Sequence, residues 1–336
     1  MKKTHAVNAN GANFSARTGE IILNSALMQG IRFPHDCRAG RCGSCLTKVV
    51  KGVTFGGETL QRGMVHACQA RVLSDLELQF DRMPPVQSIP AEVTALTERS
   101  RDVVELGLTL ASPLPYRPGQ YCGFRFKGFP VRSFSPTHPA DGSELVHDIV
   151  LHIKRVHGGR VSTALGNLIA PGHKLRVEGP FGAAFFRPNL GDRLVLIAGG
   201  TGFAPIYSIA MAALTATPNR DLLIVVGGRT LGNFYMARAL AKLRRYPNVR
   251  IELVARDIPH DATGFRQGNL EDHLPGLAGS DLIYAAGSPA MVTRVGDAAQ
   301  QVGADFYCDP FEPAAGPDEA GGLLDMIVAP LKRLAA

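Results

Sequence analysis

The chain of 336 residues contains no tryptophan, only six cysteines and no long apolar run. Each scarcity excludes something. No stretch reaches the roughly 18–20 consecutive apolar residues that a membrane-spanning helix needs, so no membrane association is expected. The opening MKKTHAVNANGANF has no apolar segment behind its lysines and does not read as a signal peptide, so a cytoplasmic location is expected. Thiols stay reduced there, and clustered cysteines then read as metal ligands or redox groups, not as disulfides. Basic blocks interleaved with aromatics are also missing. The net charge of +7 is scattered, so nucleic-acid binding is not expected. What is present is globular composition, 45% hydrophobic and 19% charged, in a chain long enough for two or three domains.

Changes of rhythm divide the chain. Residues 1–82 hold the clustered cysteines. Residues 83–90, MPPVQSIP, are Pro-rich and read as a semi-rigid linker. Across 91–188 the segments AEVTALTERS, DVVELGLTL, QYCGFRF, ELVHDIVLHIKRV and HKLRVEG read as strands, interrupted by one helical segment, RVSTALGNLIA. This is the pattern of a small barrel carrying one helix. Across 189–312 short apolar runs (DRLVLIAGG, DLLIVVGGR, VRIELVARD, DLIYAAG, DFYCDPF) alternate with helical APIYSIAMAALTA, NFYMARALAKLRRY and AMVTRVGDAAQQ. Buried strands alternating with helices imply a doubly wound parallel sheet, with its ligand at the carboxyl ends of the strands. The tail, 313–336, ends in LLDMIVAPLKRLAA, read as a short amphipathic helix with a break at Pro330 that covers the sheet in preference to docking a partner.

Cys37, Cys42 and Cys45 follow the spacing C-x4-C-x2-C, and 22 residues separate Cys45 from Cys68. This is the plant-type [2Fe–2S] spacing. Two bridged irons need four thiolates converging on a small volume; one loop supplies three and a second loop the fourth. Such a loop must turn sharply and bring amides to the sulfurs, which accounts for Gly40 and Gly43. A structural zinc site is the alternative, but zinc favours paired C-x2-C knuckles and only one pair here has that spacing. Cys122, in a barrel strand, reads as core. Cys308 reads as packing or as a neighbour of the cofactor.

Two further segments carry phosphate-binding chemistry. Arg132-Ser133-Phe134-Ser135 follows a strand, and an arginine can clamp a phosphate through its planar fork. Gly159 to Thr163 opens the expected barrel helix, where free N–H groups suit a pyrophosphate. Gly199-Gly200-Thr201-Gly202, with Phe203, Ala204 and Pro205, runs from strand to helix. Its glycines permit close backbone approach to a pyrophosphate, and Pro205 suits a helix's first turn. Arg229 follows the second strand of this region. An acidic residue there would accept ribose hydroxyls and repel a 2′-phosphate; none is present, and Arg229, with help from Arg238, could pair with such a phosphate. Gly287, Pro289 and Met291 form a strand-to-helix turn, in which Met291 read alone is a core methionine.

GEIILNSALMQGIRFPHDCRAGRCGSC with HACQARVLSDLEL resembles a plant-type ferredoxin domain, and the remaining segments, in this order, resemble the ferredoxin–NADP reductase superfamily. To about residue 312 the chain resembles the iron–sulfur flavoprotein reductase components of multicomponent oxygenases. The resemblance implies a β-grasp ferredoxin domain, an antiparallel flavin-binding β-barrel and a C-terminal doubly wound parallel sheet. It implies a [2Fe–2S] cluster on Cys37, Cys42, Cys45 and Cys68, FAD in preference to FMN, and NADH in preference to NADPH. Arg132 then contacts the flavin phosphate with Ser133 beside it, Phe134 replaces the family's tyrosine, and Ser135 lies near flavin N5. Gly159, Ser162 and Thr163 hold the pyrophosphate; Gly199, Gly200, Thr201, Gly202 and Pro205 hold the nicotinamide coenzyme. Gly287, Pro289 and Met291 lie near its ring, with Ala286 in place of the usual cysteine. Asp309, Phe311 and Glu312 end beside the flavin, where Phe311 shields the ring or belongs to the core.

The chemistry explains why three modules share one chain. NAD(P)H gives two electrons as a hydride, a flavin can divide the pair, and an iron–sulfur cluster accepts one at a time. The implied partner is an oxygenase component or a separate ferredoxin, with a diiron monooxygenase or a sugar-dehydratase as alternatives. The positive charge implies an acidic docking face on that partner. From another class, the chain could be a zinc- and nucleotide-binding module without turnover.

Overall fold

Three main sheets follow one another along the chain in this computed structural model, which describes residues 3–61, 63–144, 146–259 and 262–311. The tail helix read over 313–336 lies outside the described residues.

The first region contains β1 (Thr4–Ala9), β2 (Ala12–Arg17), α1 (Ile22–Met28), β3 (Leu46–Lys51), β4 (Thr54–Phe55), β5 (Met64–His66), β6 (Arg71–Val72) and β7 (Leu76–Gln79). Its sheet runs β2-β1-β7-β3-β5, with β1 parallel to β7 and the other pairs antiparallel. Asn10 and Gly11, both at positive φ, make the tight β1–β2 turn, as an Asn-Gly pair favours. Helix α1 lays Ile22, Leu23 and Ala26 into a core shared with Val7, Ala9 and Leu78. One helix across a mixed sheet is the expected β-grasp.

The barrel consists of β8 (Gln87–Glu98), β9 (Val103–Leu110), β10 (Tyr121–Phe126), β11 (Arg132–Phe134), β12 (Ile149–Lys154) and β13 (Lys174–Phe181), in the order β11-β10-β13-β8-β9-β12. A bridge between Thr137, just past β11, and Val150 of β12 nearly closes it. Phe124, Phe126, Leu106, Leu108 and Leu151 fill the interior. Two expectations need correction here. Ser88, Ile89 and Pro90 pair with Glu178, Val177 and Arg176, so the end of the Pro-rich segment is already strand and not linker. The segment 160–169 forms no helix, only successive turns. Its apolar spacing is real, because Val161, Ala164, Leu165 and Ile169 are buried. However, Thr163 Oγ1 donates to Gly159 O (2.7 Å), Ser162 Oγ accepts from Val156 N (3.1 Å), and Gly166 takes φ +88°. Side-chain bonds to the backbone and a left-handed glycine stop the helix after one turn.

The last region contains β14 (Leu194–Gly199), α2 (Phe203–Ala216), β15 (Leu222–Gly228), α3 (Ala237–Leu243), β16 (Val249–Ala255), β17 (Arg266–Gln267), β18 (Leu282–Gly287), α4 (Pro289–Val302) and β19 (Asp305–Pro310). All strands are parallel, in the order β17-β16-β15-β14-β18-β19. The first five residues of β14 are buried, because both faces are covered. The order reverses between β14 and β18, so the crevice outside their carboxyl ends is where such a sheet accepts a ligand.

Candidate functional site

The loop between α1 and β3 carries three of the four clustered thiols. Arg38, Gly40 and Gly43, at φ +54°, +71° and +70°, bend it so that amides face inward. Ala39 N and Cys42 N each lie 3.4 Å from Cys37 Sγ. The fourth thiol arrives from the turn after β5, where Gln69 Nε2 bonds Arg38 O (2.7 Å) and ties the two loops together. The thiols meet two and two. Cys42 hydrogen-bonds Cys37, which lowers the Cys37 thiol to about 5, helped by backbone N–H groups. Cys45 does the same for Cys68, lowering it to about 7, while Cys42 and Cys45 are raised by donating and by burial. Among the described residues no three His, Cys, Asp or Glu side chains close on one point, as a single metal ion requires. Two sulfur pairs side by side suit two bridged irons better than one zinc ion, so the donor set fits a [2Fe–2S] cluster.

This loop has two different sides. Its inner side is docked on the barrel. The Tyr121 hydroxyl, at the start of β10, donates to the Asp36 carboxylate and lies within reach of the Cys42 thiol. Ser44 Oγ accepts from Gly182 N just past β13 (3.0 Å), and Gly43 faces the Ala183 Cβ. Burial raises the pKa of Asp36, although the Tyr121 bond opposes the shift. The first region is also fastened to the third. Arg187 lies between the Phe185 and Tyr307 rings, with centroids at 3.8 and 3.6 Å, and binds Asp81 at 2.5 Å. Leu60 sits against Gly296, where an added Cβ would come within 2.2 Å of its Cδ1. On the outer side of the loop, Arg38, Ala39 and Arg41 are exposed.

Next to Tyr121, Cys122 of β10 pairs with Phe134 of β11, so the thiol loop and the Arg132–Ser135 segment share one strand. Phe134 packs on Phe124 with centroids 5.8 Å apart. Arg132 is half-buried and Ser133 exposed. In the turn at 159–163, the Thr163 hydroxyl proton is engaged on Gly159 O, whereas Ser162 accepts from Val156 N and makes only a long 3.5 Å contact to Val156 O. Ser162 therefore keeps a donor for a phosphate, while Thr163 shapes the turn. Gly159 is required there, because a Cβ would meet Ser162 Oγ at 2.5 Å.

At the β14–β18 crevice, Gly199 leads into a 3-10 turn over Gly200–Gly202, and Pro205 follows in the first turn of α2. Gly202 is pressed on β18; a Cβ would lie 2.0 Å from Ala286 O. Pro289 is the first residue of α4, which Ser288 caps by accepting from Met291 N. Met291 is buried in the core, with its Cε under Gly199 and Gly287. It supports the crevice floor and does not line the opening. Phe311 N bonds Gly287 O (2.7 Å), leaving its half-buried ring at the carboxyl edge, outside the core clusters. Glu312 lies outside the described residues. Ser135 Oγ donates to Asp309 Oδ2 across 3.2 Å, joining the barrel segment to the end of β19. Asp309 keeps some solvent contact but is deeply enclosed, and burial raises its pKa to about 7, with the Ser135 bond opposing.

Three family descriptions match in series: a 2Fe-2S iron-sulfur cluster binding domain over 6–73, an oxidoreductase FAD-binding domain over 90–186 and an oxidoreductase NAD-binding domain over 196–297. Reductase component 2 of a terephthalate 1,2-dioxygenase from Comamonas sp. is 31% identical, covering 90% of this chain and 95% of that protein. The reductase subunit of an aromatic O-demethylase from Amycolatopsis sp. is 31% identical over 86% of this chain and 92% of its own. The chain belongs to the iron–sulfur flavoprotein reductases of oxygenase systems. The crystal structure of the Amycolatopsis cytochrome P450 reductase GcoB superposes with TM-score 0.67 at 29% identity, over 93% of this chain and all of that one. A ferredoxin reductase of carbazole 1,9a-dioxygenase shares the fold at TM-score 0.63 and 24% identity, over 93% of this chain and 99% of that one.

The reductase is thus an oxidoreductase with [2Fe–2S], FAD and NAD domains, as the resemblance implied, and not a zinc-binding module without turnover. No helix among its described residues is long and apolar enough to cross a membrane. Sequence reasoning missed Tyr121, Asp36, Ser44 and Gly182, and it named both Asp309 and Ser135 without pairing them. Cys122 is fully buried in the barrel core, and Cys308 packs against the α4 side of the last sheet; burial pushes both thiols up to about 12.

Proposed function

We propose that this reductase takes hydride from NADH at the β14–β18 crevice and delivers single electrons from the outer side of the thiol loop to an oxygenase-system partner in the cytoplasm. When bound, the nicotinamide supplies the electron pair, the flavin divides it and the cluster passes it on singly. The chain's residues bind and orient. The pairs Cys37/Cys42 and Cys45/Cys68 would hold the cluster. Arg132, Ser133, Phe134 and the turn at Gly159, Ser162 and Thr163 hold FAD. Gly199, Gly200, Thr201, Gly202, Pro205, Arg229, Gly287 and Pro289 cradle the coenzyme, with Met291 beneath. Ser135, Asp309 and Phe311 would lie beside the flavin and nicotinamide rings.

One observation carries this reading: the inner side of the thiol loop is hydrogen-bonded to the strand next to the proposed flavin segment, while its outer side is open. Anaerobic NADH should bleach the flavin first and the iron–sulfur absorbance second. Replacing Tyr121 by Phe should leave the first phase intact and slow the second about three- to tenfold, because the loop loses its link to β10. Equal second phases would remove Tyr121 from the path.

For the partner, aromatic-ring oxygenases are the reading favoured by the relatives' names, which include terephthalate and naphthalene dioxygenase systems. Arg38 on the outer side and the net charge of +7 fit an acidic acceptor. Reduction of an acidic haem protein such as cytochrome b5 should therefore fall steeply as salt rises from about 0.02 to 0.3 M. A flat salt profile would count against the acidic partner.

A further inference from the structure

At the carboxyl edge of the last sheet, Arg229 of the proposed coenzyme cradle belongs to a charge arrangement whose other members, Asp257 and Arg256, the proposed roles leave unused. Beyond β15, Arg229 N and Thr230 N both donate to Asn233 Oδ1, at 3.1 and 2.9 Å, which fixes the turn that carries Arg229. Beyond β16 the pairing continues past the strand ends: Arg256 N donates to Gly228 O (3.2 Å) and Asp257 N to Arg229 O (2.7 Å). This extension sets the Asp257 carboxylate across the Arg229 guanidinium, with Asp257 Oδ2 2.9 Å from Arg229 Nε. The other carboxylate oxygen lies 3.2 Å from Arg256 Nε. Both arginines hold the carboxyl below its usual range, Arg229 foremost. The group is in the open, with the Arg229 side chain 72% and Asp257 47% exposed, so a ligand can reach it. Arg238 takes no part in this pairing; it lines a cavity of about 490 Å³ with Arg99 and Asp141, bordered by Leu231 and Gly232 of the same turn.

In a sheet of this order the adenosine ribose lies at the end of the second strand, here β15. Its own turn, GGRTLGN, offers no acid, but the neighbouring strand supplies one. We infer that Asp257 sets the coenzyme preference to NADH by occupying Arg229, the cation that a 2′-phosphate would otherwise take. A ribose diol can donate to the carboxylate while Arg229 stays paired. A 2′-phosphate approaching the same guanidinium meets a cation already partly neutralised at Nε and the carboxylate's charge beside it. Take away that charge and two guanidiniums remain free to converge on a phosphate. This inference rests on the proposed nucleotide crevice.

The full-length holoprotein tests it. NADH- and NADPH-driven ferricyanide reduction gives kcat/KM for each coenzyme, and calorimetry with ADP and with 2′,5′-ADP reads the same site without turnover. Wild type should prefer NADH and bind ADP more tightly than 2′,5′-ADP. Asp257→Asn should shift both ratios about tenfold or more toward the 2′-phosphorylated species. Adding Arg229→Ala to that variant should cancel most of the shift. A wild-type preference for NADPH, or unchanged ratios in Asp257→Asn, would overturn the inference while leaving the crevice in place. Failure of wild type to bind ADP, with no bleaching by NADH, would remove the crevice and the inference together.

Discussion

Replacing Cys68 by Ser should remove the brown colour and at least about a hundredfold of the electron flow to cytochrome c, while NADH still reduces ferricyanide through the flavin. The two-and-two arrangement of thiols gives this expectation its form. Cys68 shares a pair with Cys45, and Cys42 shares one with Cys37. Losing either member of a pair should leave one iron with a single thiolate, so Cys42→Ser should have the same consequence. A mononuclear site would behave differently, because three remaining sulfurs could still hold one ion. The measurements are iron content per chain, the visible spectrum and the ratio of cytochrome c to ferricyanide reduction. Unchanged iron and an unchanged ratio in both variants would defeat the assignment of these thiols. Global unfolding is a separate matter that the ferricyanide activity reports, since it depends on the barrel and the last sheet alone.

The clustered thiols are legible in the sequence because three of the four proposed ligands lie on one local loop, and local spacing is what a sequence displays. The Gly199–Gly202 turn was readable for the same reason, since a strand, a glycine turn and a helix are contiguous. The docking of the thiol loop was not. Tyr121 and Asp36 are 85 positions apart, and Ser44 and Gly182 are 138 apart. Neither pair leaves a periodic trace, because each is a single contact between units far apart in the chain. Ser135 and Asp309 are further apart still, at 174 positions. The helix expected over 160–170 fails in the opposite direction. Val161, Leu165 and Ile169 have helical spacing, but Ser162 and Thr163 bind backbone groups that a helix would use, and local propensity yielded to those bonds. Asp257 leaves no such local trace, because the turn after β15 holds no acid of its own and the parallel neighbour places one there through Asp257 N to Arg229 O.

The largest pH effect should belong to Asp309. Its folded pKa, about 7, stands above its ordinary value of 3.8, mainly because it is buried. The unfolded chain therefore releases this proton near pH 4, whereas the native protein keeps it until about pH 7. Through that window the native state binds more protons, so this group makes stability fall as pH rises, by up to about 4 kcal/mol above pH 7. Asp309→Asn carries no such penalty. The apoprotein variant should melt at nearly the wild-type temperature at pH 4.5 to 5 and several degrees above it at pH 8, each pH compared within one buffer. Activity should move the other way. A nicotinamide ring that gives up hydride becomes cationic, and an ionised carboxylate at the crevice favours that charge. The wild-type rate of flavin bleaching by NADH should rise with pH through about 7, while Asp309→Asn should be about tenfold or more slower at pH 8 and flat across the range. Ser135→Ala removes the donor that favours the ionised form, so its profile should shift to higher pH without becoming flat. A flat wild-type profile, or a variant that keeps the inflection, would place the titrating group elsewhere. A variant that gains stability at pH 8 and loses the inflection would tie both effects to one carboxyl, which costs the fold stability above pH 7 and speeds hydride delivery there.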